Sequence, residues 1–160
     1  MKHTNSIFHQ LLQFLPRQTF QKTVDRHQGD FRTRQLSCWD QLLSLLFCQL
    51  SGSQSLRDTV DGYNSQQARH YHLGTDTICR SSLADANQKR PVKIYQETFY
   101  YLLEKVRDSL PKSELNSMVR LIDSTTIDLN INQFKWADFR SKKAGIKLLT
   151  VYDPSAELPV

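Results

Sequence analysis

Apolar residues recur at helical spacing along the first two thirds of the chain. An i, i+3, i+4 pattern runs from Asn5 to Leu15 and stops before Pro16, which predicts a first helix. A second helix is predicted from about Arg17 to Arg26. The segment Phe31-Arg-Thr-Arg34 that follows is interpreted as a basic, solvated connector that could touch phosphate.

Capping signals mark the next two helices. Ser37-x-x-Asp40 precedes the strongest apolar pattern of the chain, and Gly52 lies where a helix C-terminal glycine belongs. Apolar residues occupy nearly every face of this helix, which predicts the central helix of a bundle. Ser55-x-x-Asp58 repeats the capping pattern and predicts another short helix.

The segment His70-Tyr-His72-Leu-Gly74 predicts a helix end followed by a turn. Its two histidines, together with Cys79, could be read as zinc ligands. No fourth ligand follows at the spacing of a zinc finger, so we interpret both as surface histidines.

Residues 77–89 form a short polar pattern with Leu83 and Ala86 as apolar anchors, and Ser81 and Ser82 are placed to cap it. Four polar or basic residues are predicted to be exposed: Arg80, Asn87, Lys89 and Arg90. With the helix before it, this segment fits a helix-turn-helix whose second helix could enter a DNA groove. An ordinary bundle helix with a solvated face fits equally well.

Pro91 begins a long amphipathic helix, and Pro111 ends it. One apolar stripe is predicted to face the core: Val92, Tyr95, Phe99, Leu102, Leu103, Val106 and Leu110. The aromatic residues of this helix are interpreted as packing residues rather than as a stacking platform for bases.

The pattern changes from helical to strand-like after Pro111-Lys-Ser-Glu114. Strands are predicted at Met118–Ser124, Thr126–Ile131 and Ile146–Tyr152. The link between the first two is too short for a crossover helix, so we expect them to pair antiparallel. The predicted fold class is α+β, with a helical domain over residues 1–114 and strands over 115–160, and a boundary near 112–117.

Asp123 is the candidate for chemistry. It follows the apolar run from Val119 to Ile122 and precedes three hydroxyl residues. A carboxylate at the end of a buried strand is held by the sheet and partly desolvated, which suits a metal ligand or a general base. Many buried strands end in Asp only to start a turn, so the spacing alone leaves both readings open.

Length, charge and cysteine content favour a protein of one domain or two small ones, with reduced thiols and a polyanionic partner. The 160 residues suffice for one domain or two small ones, and 21 Lys and Arg against 16 Asp and Glu favour a polyanionic partner without requiring one. Cys38, Cys48 and Cys79 lack a C-x-x-C spacing, as expected of reduced thiols. With no signal-peptide core and no run long enough to span a bilayer, we expect a cytoplasmic protein.

Taken together, these motifs resemble the insertion-sequence transposases of the DDE type. The resemblance is carried by Ser55-Leu-Arg-Asp58, Ser82 to Arg90, Val119 to Leu129, Phe134-Lys-Trp-Ala-Asp-Phe-Arg140 and Lys142 to Leu148. The specific element is Trp-Ala-x-Phe-Arg after Asp-Ser-Thr-Thr, and the motifs spread from about Phe31 to Asp153.

The resemblance implies that residues 115–160 open a ribonuclease-H-like domain whose first three strands form an antiparallel meander. In such enzymes three carboxylates hold two Mg²⁺ or Mn²⁺ ions that act on phosphodiesters, and Asp123 matches the first of them. The family carries its other Asp and its Glu further along than Val160. We therefore expect this chain to be inactive alone and to hold no metal stably.

The resemblance also implies DNA contacts by basic and polar residues. In the helical part these are Arg80, Asn87, Lys89 and Arg90, and in the strand region they are Arg140, Lys142, Lys143 and Lys147. The implied partners are duplex DNA of the terminal inverted repeats and of the target, and a second copy of the complete enzyme, with no membrane. The implied location is the bacterial cytoplasm, at the nucleoid when DNA is bound.

Three functions follow from these observations. The leading one is a transposase for cut-and-paste movement of an insertion sequence. The alternative is a non-catalytic DNA-binding fragment that acts as an end binder or inhibitor and does not need Asp123. The third is a helical protein-interaction domain without a nucleic-acid role, which would show little salt-dependent binding to duplex DNA.

Overall fold

A computed structural model of the protein describes residues 7–109, 121–130, 136, 138–140, 143–153 and 158–159, without the side chains of 138–140 and 143. Contacts divide the chain into two compact units, Met1–Leu102 and Leu103–Val160. Each unit is described by itself below. The boundary predicted near residues 112–117 lies outside the described residues.

The first unit is helical. The described helices of the chain are α1 (Ile7–Leu12), α2 (Arg17–Arg26), α3 (Cys38–Ser51), α4 (Leu56–Asn64), α5 (Gln67–Leu73), α6 (Arg80–Lys89) and α7 (Lys93–Ser109). With the antiparallel strands of the second unit, they confirm the predicted α+β class. Within the described residues, no helix is both long and apolar enough to cross a membrane.

The predicted caps of α3 and α4 are confirmed. The Ser37 hydroxyl accepts the backbone N–H of Asp40 at 3.1 Å, and the Asp40 carboxylate accepts the backbone N–H of Ser37 at 2.8 Å. Gly52 ends α3 with a left-handed φ of 71°, which a residue with a Cβ adopts at a cost. Ser55 caps α4 through the Asp58 N–H at 3.1 Å.

The predicted capping of α6 is wrong. The helix begins at Arg80, so the N-cap is Cys79, whose side chain makes no capping bond. Ser81 and Ser82 therefore lie within the first turn. The two predicted anchors of this helix, Leu83 and Ala86, are buried as expected.

The core of the helical unit is one cluster to which α3 contributes centrally. Its buried apolar members are Leu15, Phe20, Val24, Leu36, Cys38, Trp39, Leu43, Val60, Tyr63, Ile78, Leu83, Ala86 and Ile94. Burial of aliphatic and aromatic side chains on this scale is the dominant stabilising contribution to a small domain. The central position predicted for α3 is confirmed.

The predicted stripe of α7 is confirmed only in part, because Tyr95 and Leu102 pack against the core but other members do not. Ile94 and Thr98 are its buried residues, whereas Val92 and Phe99 are 72% and 51% exposed. Pro91 lies two residues before the helix rather than at its first position. The core selects the actual face: the Ile94 side chain packs so closely against Gly29 that a Cβ there would overlap with it.

His70 is buried, so its interpretation as a surface histidine is wrong; His72 is exposed as predicted. The His70 ring stacks on Tyr63 at 4.6 Å between centroids, and its Nε2 lies 3.0 Å from the Tyr63 carbonyl oxygen. Among the described residues, no three His, Cys, Asp or Glu side chains are grouped as metal ligands.

The described strands of the second unit are β1 (Leu121–Leu129), β2 (Asp138–Arg140), β3 (Lys143–Asp153) and β4 (Leu158–Pro159). They form an antiparallel sheet in the order β1-β3-β2, with β4 on β3. The first two predicted strands are one continuous strand, because no Gly or Pro between Leu121 and Leu129 favours a turn. The expected meander is therefore wrong, since β1 pairs with β3.

The cap of α3 provides a stability test. We expect Ser37→Ala to lower the free energy of unfolding by about 0.5–2 kcal/mol, because the Asp40 N–H loses its acceptor. Ser81→Ala is the matched control, since this serine does not cap its helix, and should change stability by less than about 0.5 kcal/mol. Urea unfolding followed by circular dichroism measures both; equal losses would contradict the assignment of the caps.

Candidate nucleic-acid interface and carboxylate site

An open groove lies between residues 27–36, which follow α2, and helix α6. Its volume is about 800 Å³. Of the described side chains that line it, the charged Arg, Lys and Asp members are Arg32, Arg34, Lys89, Arg90 and Asp85. The excess of cations gives this groove a positive potential suited to a polyanion.

Arg90 is buried beneath the groove and bonds the end of the 27–36 segment. Its side chain is only 9% exposed, so the prediction that Arg90 is exposed is wrong. The guanidinium donates to the carbonyl oxygens of Leu36 and Ser37, the latter at 3.0 Å. It also pairs with Asp30 at 3.5 Å. A buried cation requires such acceptors, and here they fix the end of the 27–36 segment.

Gln41 joins the same network from α3. Its side-chain oxygen accepts from Arg90 at 2.8 Å and from the Tyr95 hydroxyl at 2.6 Å. Its amide nitrogen donates to the Asn87 side-chain oxygen at 2.6 Å. Burial raises the pKa of Tyr95, which therefore stays a neutral donor. Asn87 is exposed as predicted, but its oxygen is engaged inside the unit.

Close packing holds the beginning of the 27–36 segment. A Cβ placed on Gly29 would lie 2.7 Å from the Cys38 sulfur and closer still to Ile94, so no side chain fits there. Asp30 accepts the backbone N–H of Cys38 at 2.7 Å. The segment is thus anchored at both ends, by Gly29 and Asp30 at one and by Arg90 at the other.

Arg80 and Lys89 are exposed, as predicted, but lie at opposite ends of α6. A rise of 1.5 Å per residue separates them by about 14 Å along the helix axis. Lys89 lines the groove and pairs with Asp85 at 3.2 Å, with both side chains largely exposed. The structure therefore brings Asn87, Lys89 and Arg90 to one end of α6 and leaves Arg80 at the other.

The connection before α6 differs from a helix-turn-helix. Residues 74–79 separate α5 from α6, more than the three or four residues of that motif. Helix α6 packs against α4, and the Asn64 side chain bonds both the N–H and the carbonyl of Ile78 at 2.9 Å. This geometry favours the alternative interpretation, in which α6 is a bundle helix with a solvated face.

Phe31 was predicted only as part of a basic connector and not as a candidate contact residue. Its ring is 67% exposed, and the Arg32 guanidinium lies over it at 5.1 Å from the centroid. The available signal was an aromatic residue next to two arginines in a polar segment. What the sequence did not reveal is that the fold places this segment beside Lys89.

The thiols of the helical unit have contrasting environments. Burial raises the pKa of the Cys38 thiol to about 12. The exposed Cys79 has a lowered pKa, because the Ser81 hydroxyl and the backbone N–H groups that open α6 hydrogen-bond its sulfur. The Cys79 sulfur lies 3.2 Å from the Ser81 hydroxyl oxygen.

Asp123 is the third residue of β1, opposite Thr150 of β3, and it is exposed. Its predicted position at the end of a buried strand is therefore wrong. Alternation places Thr125 on the same face, and the Thr125 hydroxyl donates to the carboxylate at 3.5 Å. The strand is exposed along most of its length because the described residues of its own unit do not cover it.

The described residues do not complete a metal site around Asp123. Asp128 lies on the opposite face of β1, because it follows Asp123 by five residues, an odd number, on the same strand. Two Mg²⁺ ions need several fixed oxygen ligands, and one strand carboxylate with one hydroxyl does not supply them. This chain's described residues therefore do not fit the two-cation centre that the resemblance implies.

The basic residues predicted in the strand region are only partly described. Lys147 is exposed on β3 opposite Thr126, which places it on the face of the sheet away from Asp123. Arg140 and Lys143 are cross-strand partners, but their side chains lie outside the described residues. Lys142 lies wholly outside them.

Comparison with known proteins places these observations in context. A family model described as a domain of unknown function (DUF4372) matches residues 3–76. "Putative transposase y4zB" of Sinorhizobium fredii is 42% identical over 77 residues, which cover 48% of this chain and 21% of that protein. "Probable transposase for insertion sequence element IS5377" of Geobacillus stearothermophilus is 39% identical over 41 residues, which cover 26% of this chain and 11% of that protein.

Over the matched segments this chain is similar to proteins named as transposases, one of them for an insertion sequence element. The relationship predicted from the motifs is thereby confirmed, while the DDE type stays a prediction. The matched segments span only about a fifth and a tenth of the two relatives. No solved structure matches the chain.

Substitution of Arg90 should lower the free energy of unfolding much more than substitution of Lys89, because Arg90 is buried and Lys89 is exposed. Arg90→Ala leaves buried acceptors and Asp30 without a partner, so we expect a loss of about 3 kcal/mol in the free energy of unfolding. Lys89→Ala, at an exposed pair, should cost less than about 0.5 kcal/mol. Urea unfolding compares the two, with Arg90→Lys as the variant that keeps the charge; similar losses for the two alanine variants would contradict the buried role of Arg90.

The thiols should differ in reactivity. We expect iodoacetamide to modify Cys79 in the native protein at a pH lower than an ordinary thiol requires, because its thiolate is favoured. Cys38 should stay unmodified until the protein unfolds. Ser81→Ala should shift the pH profile of Cys79 upward. Peptide mass spectrometry over a pH series measures this, and native labelling of Cys38 as fast as Cys79 would refute it.

Proposed function

We propose that this chain serves DNA transposition, as the N-terminal part of a DDE transposase that moves an insertion sequence by cut and paste. The observation that carries the proposal is the similarity to proteins named as transposases, and the basic groove of the helical unit supports it. DNA is the substrate of that reaction class, and a cationic groove suits its phosphates.

We propose the helical unit as the part that contacts transposon-end duplex DNA. Lys89 and the arginines of the 31–34 segment would contact phosphates at the groove. Asn87, beside the groove, and Arg80, at the other end of α6, remain proposed contacts outside its lining. Such contacts are independent of base sequence and sensitive to salt. Arg90 acts through the loop that it holds and is a positioning residue.

Asp123 is the residue that we propose for the catalytic centre of the complete enzyme, with Mg²⁺ or Mn²⁺ as cofactor. Such ions activate the attacking oxygen and stabilise the leaving oxygen of a phosphodiester. Because the described residues do not fit that centre alone, we assign no cleavage step to this chain. Arg140, Lys142, Lys143 and Lys147 remain proposed phosphate contacts; assembly as a homodimer and action at the bacterial nucleoid belong to the same proposal.

A second function has a specific observation in its favour. The helical unit combines its own core with a basic groove, whereas the described part of the strand region offers one carboxylate on its face of β1. A fragment with these properties would bind transposon ends and compete with the complete enzyme. Asp123 would then be dispensable.

Salt-dependent DNA binding tests the proposal. We expect this chain to bind mixed-sequence duplex DNA, with Lys89→Ala weakening the binding and reducing the salt slope by about one. Asp123→Asn should leave the affinity unchanged, and Lys22→Ala, at an exposed lysine of α2 outside the groove, is the matched control. Fluorescence anisotropy over a salt series measures all four; equal effects of the two lysine variants would refute the groove as the interface.

Cleavage assays separate the two functions. With Mg²⁺ and a labelled terminal-repeat duplex, we expect no cleavage by this chain and cleavage by a polypeptide extended in frame. Asp123→Asn should abolish cleavage by the extended form. Cleavage by the 160-residue chain, or unchanged cleavage by the extended variant, would contradict the role proposed for Asp123.

A further inference from the structure

Phe31 is an exposed aromatic side chain that lines the basic groove of the helical unit. The segment that we call the Phe31 loop, residues 31–35, is exposed throughout. It lies along the groove with Arg32 and Arg34 on the loop itself and Lys89 on α6. An isolated exposed aromatic is ordinary on a protein surface, but here it is surrounded by positive charge.

The Phe31 loop is held in one conformation by several bonds. Gln28 and Arg32 adopt left-handed φ values of 52° and 57°, which non-glycine residues adopt only when the surroundings impose them. The N–H of Phe31 donates to the Gln28 carbonyl at 3.0 Å, and the N–H of Thr33 donates to the Asp30 carbonyl at 3.0 Å. Arg90 closes the other end of the loop through Leu36 and Ser37. A ligand that contacts the ring therefore orders little additional chain.

The ring has one face occupied and most of its surface open. The Arg32 guanidinium lies over it at 5.1 Å, and the side chain is nevertheless 67% exposed. A flat aromatic group can stack on what remains, and the adjacent guanidinium strengthens such a stack. Arg34 and Lys89 line the same groove and offer cations for the phosphates of a nucleotide.

These features select an unpaired nucleobase as the ligand. Inside a duplex, both faces of a base are covered by its neighbours, so only an unpaired, extruded or terminal base can stack on a side chain. An apolar peptide would find one ring among cations rather than an apolar surface. The two components of the site, one aromatic platform and flanking cations, are those that bind single-stranded nucleic acid.

We infer that the Phe31 loop binds an unpaired base of DNA, stacked on the Phe31 ring, with its phosphates on Arg34 and Lys89. This inference rests on the proposed function, since it names the form of DNA that the groove prefers. It gives the helical unit a preference for DNA ends or distorted sites over continuous duplex.

Paired probes test this inference. The 160-residue chain is titrated against a covalently closed duplex minicircle, which has no ends, and against the same minicircle with one extruded 2-aminopurine, at one salt concentration. We expect tighter binding of the second probe, and a change in 2-aminopurine fluorescence on binding. Phe31→Ala should reduce the ratio of the two affinities by about 5- to 150-fold, as the loss of one stacked base does. Phe31→Tyr should keep the preference because it keeps the ring.

Phe14→Ala is the matched control, because Phe14 is also an exposed phenylalanine, at 77%, and lies outside the groove. Circular dichroism establishes that each variant is folded. Equal affinity of the wild type for both probes, or a ratio that Phe31→Ala leaves unchanged, would overturn the inference. If the chain still bound the duplex in that case, the proposed function would stand. Absence of binding to either probe at low salt would overturn both.

Discussion

The helical unit depends on one buried cation. Arg90 reaches the carbonyl oxygens that precede α3, the side-chain oxygen of Gln41 within α3, and the carboxylate of Asp30. These partners all lie within residues 30–41, between 49 and 60 positions before Arg90, so a single guanidinium ties the 27–36 segment and the start of α3 to the end of α6. A guanidinium suits this position because it offers five donors in a plane, which an ammonium group does not. This interior network holds one end of the groove's wall, and the packing of Gly29 with the Asp30 bond to the Cys38 N–H holds the other.

The same network explains why charges near one another in sequence have different roles. Lys89 and Arg90 are consecutive, yet the first is 71% exposed and the second 9%. The helix ends at Lys89, and the change of backbone direction turns Arg90 inward. A polyanion that reaches the groove therefore meets Lys89 and the loop arginines, while Arg90 acts by keeping the loop in place. The exposed charge of Lys89 attracts the polyanion, and the buried charge of Arg90 positions the loop.

The strand region follows a different principle. β1 and β3 form a long antiparallel ladder, but apolar residues on both faces, among them Ile122 and Leu148, stay exposed within the described part of this unit. Asp123 is thereby held by backbone pairing alone and is not desolvated. Its sequence context resembles a catalytic strand, and its surroundings here supply only a threonine hydroxyl. The catalytic role proposed for Asp123 therefore rests on sequence similarity, whereas the DNA contact proposed for the helical unit also rests on the geometry of its groove.

The sequence by itself determined the features that depend on neighbours along the chain. The caps at Ser37 and Ser55, the turn at Gly52, the central α3 and the α+β class all rest on short-range spacing. Only the tertiary structure decided which faces are buried: His70 and Arg90 lie inside, Val92 and Phe99 outside, and β1 runs on where two strands were predicted. The physical reason is that burial depends on which distant segment supplies the partner. No local pattern encodes that the Ile94 side chain packs against Gly29, or that Arg90 donates a hydrogen bond to the Leu36 carbonyl oxygen.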